Sequence, residues 1–158
     1  MGTKVAPVYA NLFLGKFEEE NILNTNDSKN IIFYKRFLDD IFLLWKGDLT
    51  KLKRFLNHLN TLHPTIKFTY EYSRNHIDFL DTTIYKTKTS KRFKSKLYTK
   101  PTDAKFLLHH DSYQPEHTKS NIIYTQVLRC RLLTTDNTIL TKELISLKSV
   151  QIGSDYLN

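Results

Sequence analysis

The stretch that decides the fold spans residues 31–45 and reads Ile-Ile-Phe-Tyr-Lys-Arg-Phe-Leu-Asp-Asp-Ile-Phe-Leu-Leu-Trp. β-Branched and aromatic residues dominate both of its ends, as is typical of β-strands. Two aspartates, Asp39 and Asp40, lie between these apolar runs, and aspartate favours turns. We therefore predict a β-hairpin with strands Ile31–Phe37 and Ile41–Trp45 and with both carboxylates at its tip.

Helices are predicted on both sides of this hairpin. Apolar residues recur at three- and four-residue steps from Leu49 to Leu62, which indicates an amphipathic helix that begins after Asp48. A second helix is predicted from Val8 to about Leu23, with Pro7 in its first turn. The polar, asparagine-rich residues 21–30 are predicted to form a loop.

The second half of the chain begins with strand patterns and ends with helical ones. Apolar and polar residues alternate at Ile66–Tyr72, and a turn at Ser73–His76 precedes a second apolar run. The remaining predicted elements are a strand at Ile77–Tyr85, a basic loop and a third strand within Lys86–Lys100, and helices at about Thr118–Leu133 and Thr138–Leu147. Antiparallel strands followed by helices indicate an α+β fold.

The charge of the chain is strongly uneven. Residues 51–100 carry 12 basic and 3 acidic side chains, whereas the flanking segments are close to neutral. Such a surplus suits a polyanion such as nucleic acid, and a solubilising basic surface is the alternative. The candidate nucleic-acid-binding residues are Lys91, Arg92, Lys94, Lys96 and Lys100.

Composition excludes several other classes of protein. Apolar residues make up 40% of the chain, so it can bury a core and is not a disordered tail. Apolar runs fall short of the roughly 18 residues that cross a bilayer. One cysteine, Cys130, excludes an intramolecular disulfide and a multi-cysteine zinc site, and we expect it to be a small, partly buried apolar residue. The same cysteine content favours an intracellular protein, nuclear or cytoplasmic. His109, His110 and His117 are predicted to be surface or hydrogen-bonded residues.

Asp39 and Asp40 are the candidate catalytic and metal-ligating residues. Two adjacent carboxylates suit a hard cation such as Mg²⁺, which binds a few carboxylates together with substrate phosphates. The alternative is a solvated Asp-Asp turn without a ligand.

The chain resembles a reverse transcriptase of the Penelope-like retroelement type. Phe37-Leu38-Asp39-Asp40 is similar to the aromatic–X–Asp–Asp catalytic hairpin of these enzymes. Other blocks continue the resemblance in the order of the family, from the middle of the palm into the thumb. They are residues 2–11 (Gly-Thr-Lys-Val-Ala-Pro-Val-Tyr-Ala-Asn), 77–81 (Ile-Asp-Phe-Leu-Asp), 97–103 (Leu-Tyr-Thr-Lys-Pro-Thr-Asp), 112–119 (Ser-Tyr-Gln-Pro-Glu-His-Thr-Lys) and 126–131 (Gln-Val-Leu-Arg-Cys-Arg).

This resemblance implies RNA-directed DNA synthesis. Nucleotidyl transfer in the family uses two Mg²⁺ or Mn²⁺ ions, with Asp39 as metal ligand and Asp40 as its weaker neighbour. Gly2, Pro7 and Asn11 would lie against the incoming nucleotide and the template. The implied partners are an RNA template, a DNA primer and deoxynucleoside triphosphates, and a hairpin at 66–85 would approach the primer.

The resemblance also implies the domain organisation. Residues 1–103 would form a partial palm, and residues 104–158 a helical thumb, of a kind also classed as helix-turn-helix-like. The first catalytic aspartate of the family lies on a strand before the Gly2–Asn11 block, and this sequence begins at Met1. We therefore expect impaired or absent catalysis in this chain alone. The alternatives are a non-catalytic nucleic-acid-binding module and a decayed relic.

Overall fold

The computed structural model describes residues 3–87, 92–103 and 113–153. The chain is an α+β protein that divides into two compact units, residues 1–71 and residues 72–158. We call them the N-terminal and the C-terminal unit. The predicted division at residue 103 stays a prediction. In the C-terminal unit, three strands and the last two helices belong to one compact body.

The N-terminal unit consists of two helices and one hairpin. Helix α1 spans Ala6–Glu18, with Pro7 in its first turn as predicted. It continues as a π-helical turn at Glu19–Leu23. Strands β1 (Ile31–Phe37) and β2 (Asp40–Trp45) form an antiparallel hairpin. Helix α2 then spans Leu49–Leu62. Both predicted helices of this unit and the hairpin are confirmed. The asparagine-rich loop contains a 3₁₀ turn at Asn26–Asn30.

The core of the N-terminal unit lies between α2, the hairpin and the π-helical turn. Ile22, Phe55 and Leu59 are its buried centre. Trp45 stacks on Phe55 with 5.5 Å between ring centroids. Asp48 caps α2 through a 2.7 Å hydrogen bond that its carboxylate accepts from the Lys51 N–H, which satisfies one of the free donors at the helix start. Apolar periodicity and cap together explain why this helix was predictable.

The predicted strand at Ile66–Tyr72 is wrong, because this segment has irregular backbone. A side chain takes the place of a neighbouring strand here. The Asn60 amide accepts from the Phe68 N–H at 2.6 Å and donates to the Phe68 carbonyl at 3.0 Å. Both main-chain groups of Phe68 are thus satisfied without a ladder, and the predicted hairpin at 66–85 does not form.

The C-terminal unit begins with a three-stranded antiparallel sheet. Its strands are β3 (His76–Phe79), β4 (Thr82–Lys86) and β5 (Phe93–Leu97), in the order β3-β4-β5. The prediction of a single strand at Ile77–Tyr85 is wrong, because the chain reverses at Leu80 and Asp81. Leu80 has a positive φ of 53°, a conformation that apolar L-residues seldom adopt, so composition does not signal the turn.

Two helices complete the C-terminal unit. Helix α3 spans Glu116–Leu133, close to the predicted bounds, and helix α4 spans Asn137–Gly153, which begins as predicted and continues beyond the predicted end at Leu147. The three residues Thr134–Asp136 join them. Cys130 lies on α3 and is 1% exposed, which confirms the predicted burial. Burial also raises the pKa of its thiol, so it is a packing residue.

Candidate nucleic-acid and metal sites

Asp39 and Asp40 lie at the hairpin reversal as predicted. Leu38 and Asp39 form the two-residue loop, and Asp40 opens β2 opposite Phe37. Leu38 has a positive φ of 54°. Both aspartates are exposed, and neither carboxylate has a hydrogen-bond or ion-pair partner among the described residues. The structure thus shows a solvated pair of adjacent carboxylates with free lone pairs.

Arg36 connects this turn to helix α1. Its guanidinium donates from Nη1 to the Leu38 carbonyl at 2.9 Å and to Asn11 Oδ1 at 2.8 Å. Its Nε donates to Glu18 Oε1 at 2.6 Å. The structure therefore brings Asn11, one of the predicted substrate-binding residues, to the same arginine as the Asp-Asp turn. Sequence reasoning missed Arg36, although its position three residues before Asp39 could have drawn attention to it.

Glu18 is the buried anchor of this arrangement. The carboxylate also accepts from the Tyr34 hydroxyl at 2.7 Å. Burial, and then the hydrogen bond to Glu18, raise the pKa of Tyr34 well above its usual range. The phenol therefore remains a neutral donor. Tyr34 also packs against the core of the N-terminal unit.

The other two predicted substrate-binding residues are less informative. Gly2 lies outside the described residues. Pro7 is exposed in the first turn of α1, one helical turn before Asn11. No described contact joins Pro7 to the Asp-Asp turn, so its role stays a prediction.

The predicted basic residues differ in their surroundings. Lys91 lies outside the described residues, whereas Arg92 and Lys100 are exposed. Lys94 and Lys96 alternate along β5, which places them on one face of the sheet. Lys94 Nζ lies 2.6 Å from Asp136 Oδ2. This contact raises the pKa of Lys94 and lowers that of Asp136, so both groups stay charged and the carboxylate offsets part of the charge of Lys94.

The connection between α3 and α4 covers the free edge of β5. Thr135 donates its N–H to the Ser95 carbonyl at 2.9 Å, and the Ser95 N–H donates to Thr135 Oγ1 at 2.9 Å. The Leu97 N–H donates to Thr134 Oγ1 at 3.3 Å. An edge strand otherwise presents unpaired main-chain groups. The helix pair is therefore fixed to the sheet through its turn.

Asp136 also begins helix α4. Its Oδ1 accepts from the N–H groups of Thr138 and Ile139, at 3.0 and 3.4 Å. One carboxylate thus caps the helix with one oxygen and binds Lys94 with the other. Two helices joined by three residues, with a capped second helix, have the local organisation of a helix-turn-helix.

The exposed face of α4 carries no acidic side chain. Glu143 is the only acidic residue of α4, and its carboxylate is half-buried and accepts from Thr134 Oγ1 at 2.8 Å. The exposed residues recur at helical spacing and include amide, hydroxyl and ammonium groups. They are Asn137, Thr138, Thr141, Lys142, Ile145, Lys148 and Ser149. The sequence analysis did not identify this face, although its spacing was available.

A cavity of about 600 Å³ lies within the C-terminal unit, between the β3–β4 turn and the two helices. Lys100, Arg129 and Lys142 line it together with Tyr98. Arg129 Nη2 lies 3.0 Å from Asp81 Oδ1. Asp81, Asp103 and Glu143 line it as well, so the lining contains three basic and three acidic side chains.

Metal and membrane features are limited in the described parts of the chain. No group of three or more His, Cys, Asp or Glu side chains that could hold a metal is present in residues 3–87, 92–103 and 113–153. His109 and His110 lie outside these ranges. Within the same ranges, no helix is both long and apolar enough to span a membrane.

Comparison with known proteins yields one family match. A family model described as the animal helix-turn-helix domain matches residues 106–157, roughly a third of the chain. Of that segment, the structure describes residues 113–153, which contain both α3 and α4. No curated protein and no solved structure matches significantly.

Proposed function

We propose that helices α3 and α4 form a helix-turn-helix module that binds duplex DNA, with the exposed face of α4 towards the DNA. The observation that carries this proposal is the acid-free face of α4, which lies inside the segment similar to the animal helix-turn-helix domain. In such modules the second helix enters the major groove. The residues of α4 suit this position, because lysine contacts phosphates and amide or hydroxyl groups bond to base edges.

Strand β5 would extend the same interface. Lys94 binds the carboxylate that caps α4, so the basic strand meets the helix at its N-terminal end. The exposed Arg92 and the half-buried Lys96 belong to the same strand region. Partial neutralisation by Asp136 leaves Lys94 a weaker phosphate contact than its neighbours. Its main role here is to hold the start of α4.

The salt dependence of binding tests this extension. If three or four of the seven basic residues between Lys86 and Lys100 contact phosphates, they should contribute about −3 to −4 to the slope of log K against log salt on duplex DNA. We expect a variant with Lys91, Arg92, Lys94 and Lys96 replaced by alanine to give a flatter slope in fluorescence anisotropy. The affinity lost in this variant should be about the same on shuffled DNA sequences, because phosphate contacts do not specify sequence.

Two control variants accompany this titration. Lys94→Ala alone separates loss of the Asp136 contact from loss of phosphate contacts, and Asp39→Ala should leave the slope unchanged. Equal slopes for wild type and the fourfold variant would show that the basic run is a solvated surface.

The hairpin supports a second proposal, that the N-terminal unit is part of a polymerase palm of the reverse transcriptase type. The specific observation is the exposed Asp39-Asp40 pair in a two-residue hairpin loop, connected to Asn11 through Arg36. On this proposal the chain acts with an RNA template, a DNA primer and deoxynucleoside triphosphates. The helix pair would then hold the primer–template duplex as a thumb.

The two carboxylates fit part of a Mg²⁺ ligand set. They are hard oxygen donors, they are adjacent, and no described side chain neutralises them. When bound, such ions lower the pKa of the attacking hydroxyl and stabilise the charge of the phosphates. The chain's own contribution is to hold the two carboxylates on the hairpin turn, where no described side chain binds them.

Paramagnetic Mn²⁺ tests this metal site. We expect Mn²⁺ to broaden the amide NMR signals of Asp39 and Asp40 first, because their carboxylates are free. The signal of Asp81 should respond only at higher concentration, since Arg129 occupies its carboxylate. Replacing Asp39 and Asp40 together by asparagine should abolish the selective broadening, whereas Asp27→Asn should not. Uniform broadening of all exposed aspartates in the wild type would contradict the proposal.

A further inference from the structure

Two turns of the chain share one local sequence and a leucine with positive φ. Phe37-Leu38-Asp39 and Phe79-Leu80-Asp81 each close a two-residue hairpin loop. The central leucines have φ values of 54° and 53°. This left-handed conformation is unfavourable for a residue with a Cβ, so each turn requires contacts from the surrounding structure to keep it.

The two turns differ in the group that an arginine contacts, which is a carboxylate in one turn and a main-chain carbonyl in the other. In the C-terminal unit, Arg129 binds the carboxylate of Asp81 at 3.0 Å. In the N-terminal unit, Arg36 instead donates to the Leu38 carbonyl at 2.9 Å. The first arrangement occupies the carboxylate. The second holds the backbone of the turn and leaves the carboxylates of Asp39 and Asp40 available.

Arg36 is itself rigidly held. Its side chain is 15% exposed, and that of its partner Glu18 is 10% exposed. Nε donates to Glu18 at 2.6 Å while Nη1 donates to Asn11 at 2.8 Å. A guanidinium is planar and presents its donors in a fixed fork. Glu18 and Asn11 therefore orient the group that reaches the turn.

We infer that Arg36 is a positioning residue that fixes the Asp39-Asp40 turn against helix α1 and keeps both carboxylates free for a ligand. The Leu38 carbonyl belongs to the same peptide plane as the Asp39 N–H. Holding that carbonyl therefore sets the direction in which Asp39 leaves the turn. The identification of the ligand as a divalent cation rests on the second proposal above, whereas the positioning role does not.

Arg36→Lys is the main test. Lysine keeps the positive charge beside Glu18 but presents a single ammonium in place of the fork. In the metal-free full chain, we expect the heteronuclear NOE values of Leu38, Asp39 and Asp40 to fall to those of a mobile loop. The same values at Leu80 and Asp81 should stay as in the wild type and provide an internal reference.

Two further variants keep the test decisive. Asn11→Ala removes one acceptor from an exposed helix position and should give a smaller change at the same three residues, even if Arg36→Lys fails to fold. Arg129→Lys is the matched control and should leave Leu38–Asp40 unchanged. Wild-type NOE values and chemical shifts at Leu38–Asp40 in both Arg36→Lys and Asn11→Ala would overturn the inference.

A Mn²⁺ titration separates this inference from the proposed metal site. In Arg36→Lys, the concentration of Mn²⁺ that broadens Asp39 and Asp40 should rise about 10-fold, as when a partner that orients a metal ligand is lost. If the Mn²⁺ concentration that broadens Asp39 and Asp40 is the same in Arg36→Lys as in the wild type, Arg36 has only a structural role. That result would overturn the inference that Arg36 keeps the carboxylates free for a ligand. If the wild type itself shows no selective broadening, the metal site fails, and the NOE values still decide whether Arg36 positions the turn.

Discussion

Replacing Leu59 by alanine is expected to lower the free energy of unfolding of the N-terminal unit by about 2–5 kcal/mol. Leu59 is 1% exposed at the centre of the core formed with Ile22 and Phe55. The removed methyl groups lose their burial, and the surrounding residues cannot fully close the cavity. For a unit of this size, such a loss is a large part of the total stability.

The single tryptophan reports this unfolding directly. Trp45 stacks on Phe55 in the same core, so its fluorescence in urea follows the N-terminal unit. Leu62→Ala is the matched control, because Leu62 lies on the same helix and is 39% exposed. A Leu59→Ala midpoint close to that of Leu62→Ala would contradict the described core.

Reversing the charge of Lys142 and Lys148 is expected to reduce the salt slope of DNA binding by about 2. Both residues are exposed on the acid-free face of α4. Each lysine that contacts a phosphate releases condensed counterions, and glutamate in its place releases none. If variant and wild type bind equally at 1 M salt, a slope change of about 2 makes the variant roughly 100-fold weaker than the wild type at 0.1 M salt.

A second double variant controls for net charge. Lys4→Glu and Lys29→Glu change the charge by the same amount at exposed positions of the N-terminal unit. Fluorescence anisotropy on one duplex, over a range of salt concentrations, compares the two proteins. If the two double variants weaken DNA binding equally, the effect is due to overall charge, and the proposed role of the α4 face is wrong.

Local signals explain the elements that were predictable. Helix α2 has an apolar stripe within its 14 residues and a capping aspartate directly before them. The first hairpin has two apolar runs around Asp39 and Asp40, and the structure confirms their antiparallel pairing. In each case the residues that stabilise the element are close together in the sequence, so a pattern of a few residues contains the information.

The errors occurred where a distant group overrides the local pattern. The alternation at Ile66–Tyr72 is typical of a strand, but the Asn60 side chain occupies the main chain of Phe68. The run at Ile77–Tyr85 contains an unmarked reversal, because leucine rather than glycine adopts the positive φ. Neither event has a composition signal that distinguishes it from an ordinary strand.

The candidate sites divide in the same way. Asp39 and Asp40, the basic run after Lys86 and the two C-terminal helices follow from the sequence, because residue type, charge and helical period are properties of neighbouring residues. The tertiary structure alone decides that Arg36 joins Asn11 to the Asp-Asp turn across 25 residues. It also decides that Lys94 binds Asp136 across 42 residues. Such contacts depend on how packed elements meet in space, and a single sequence contains no local signal for that arrangement.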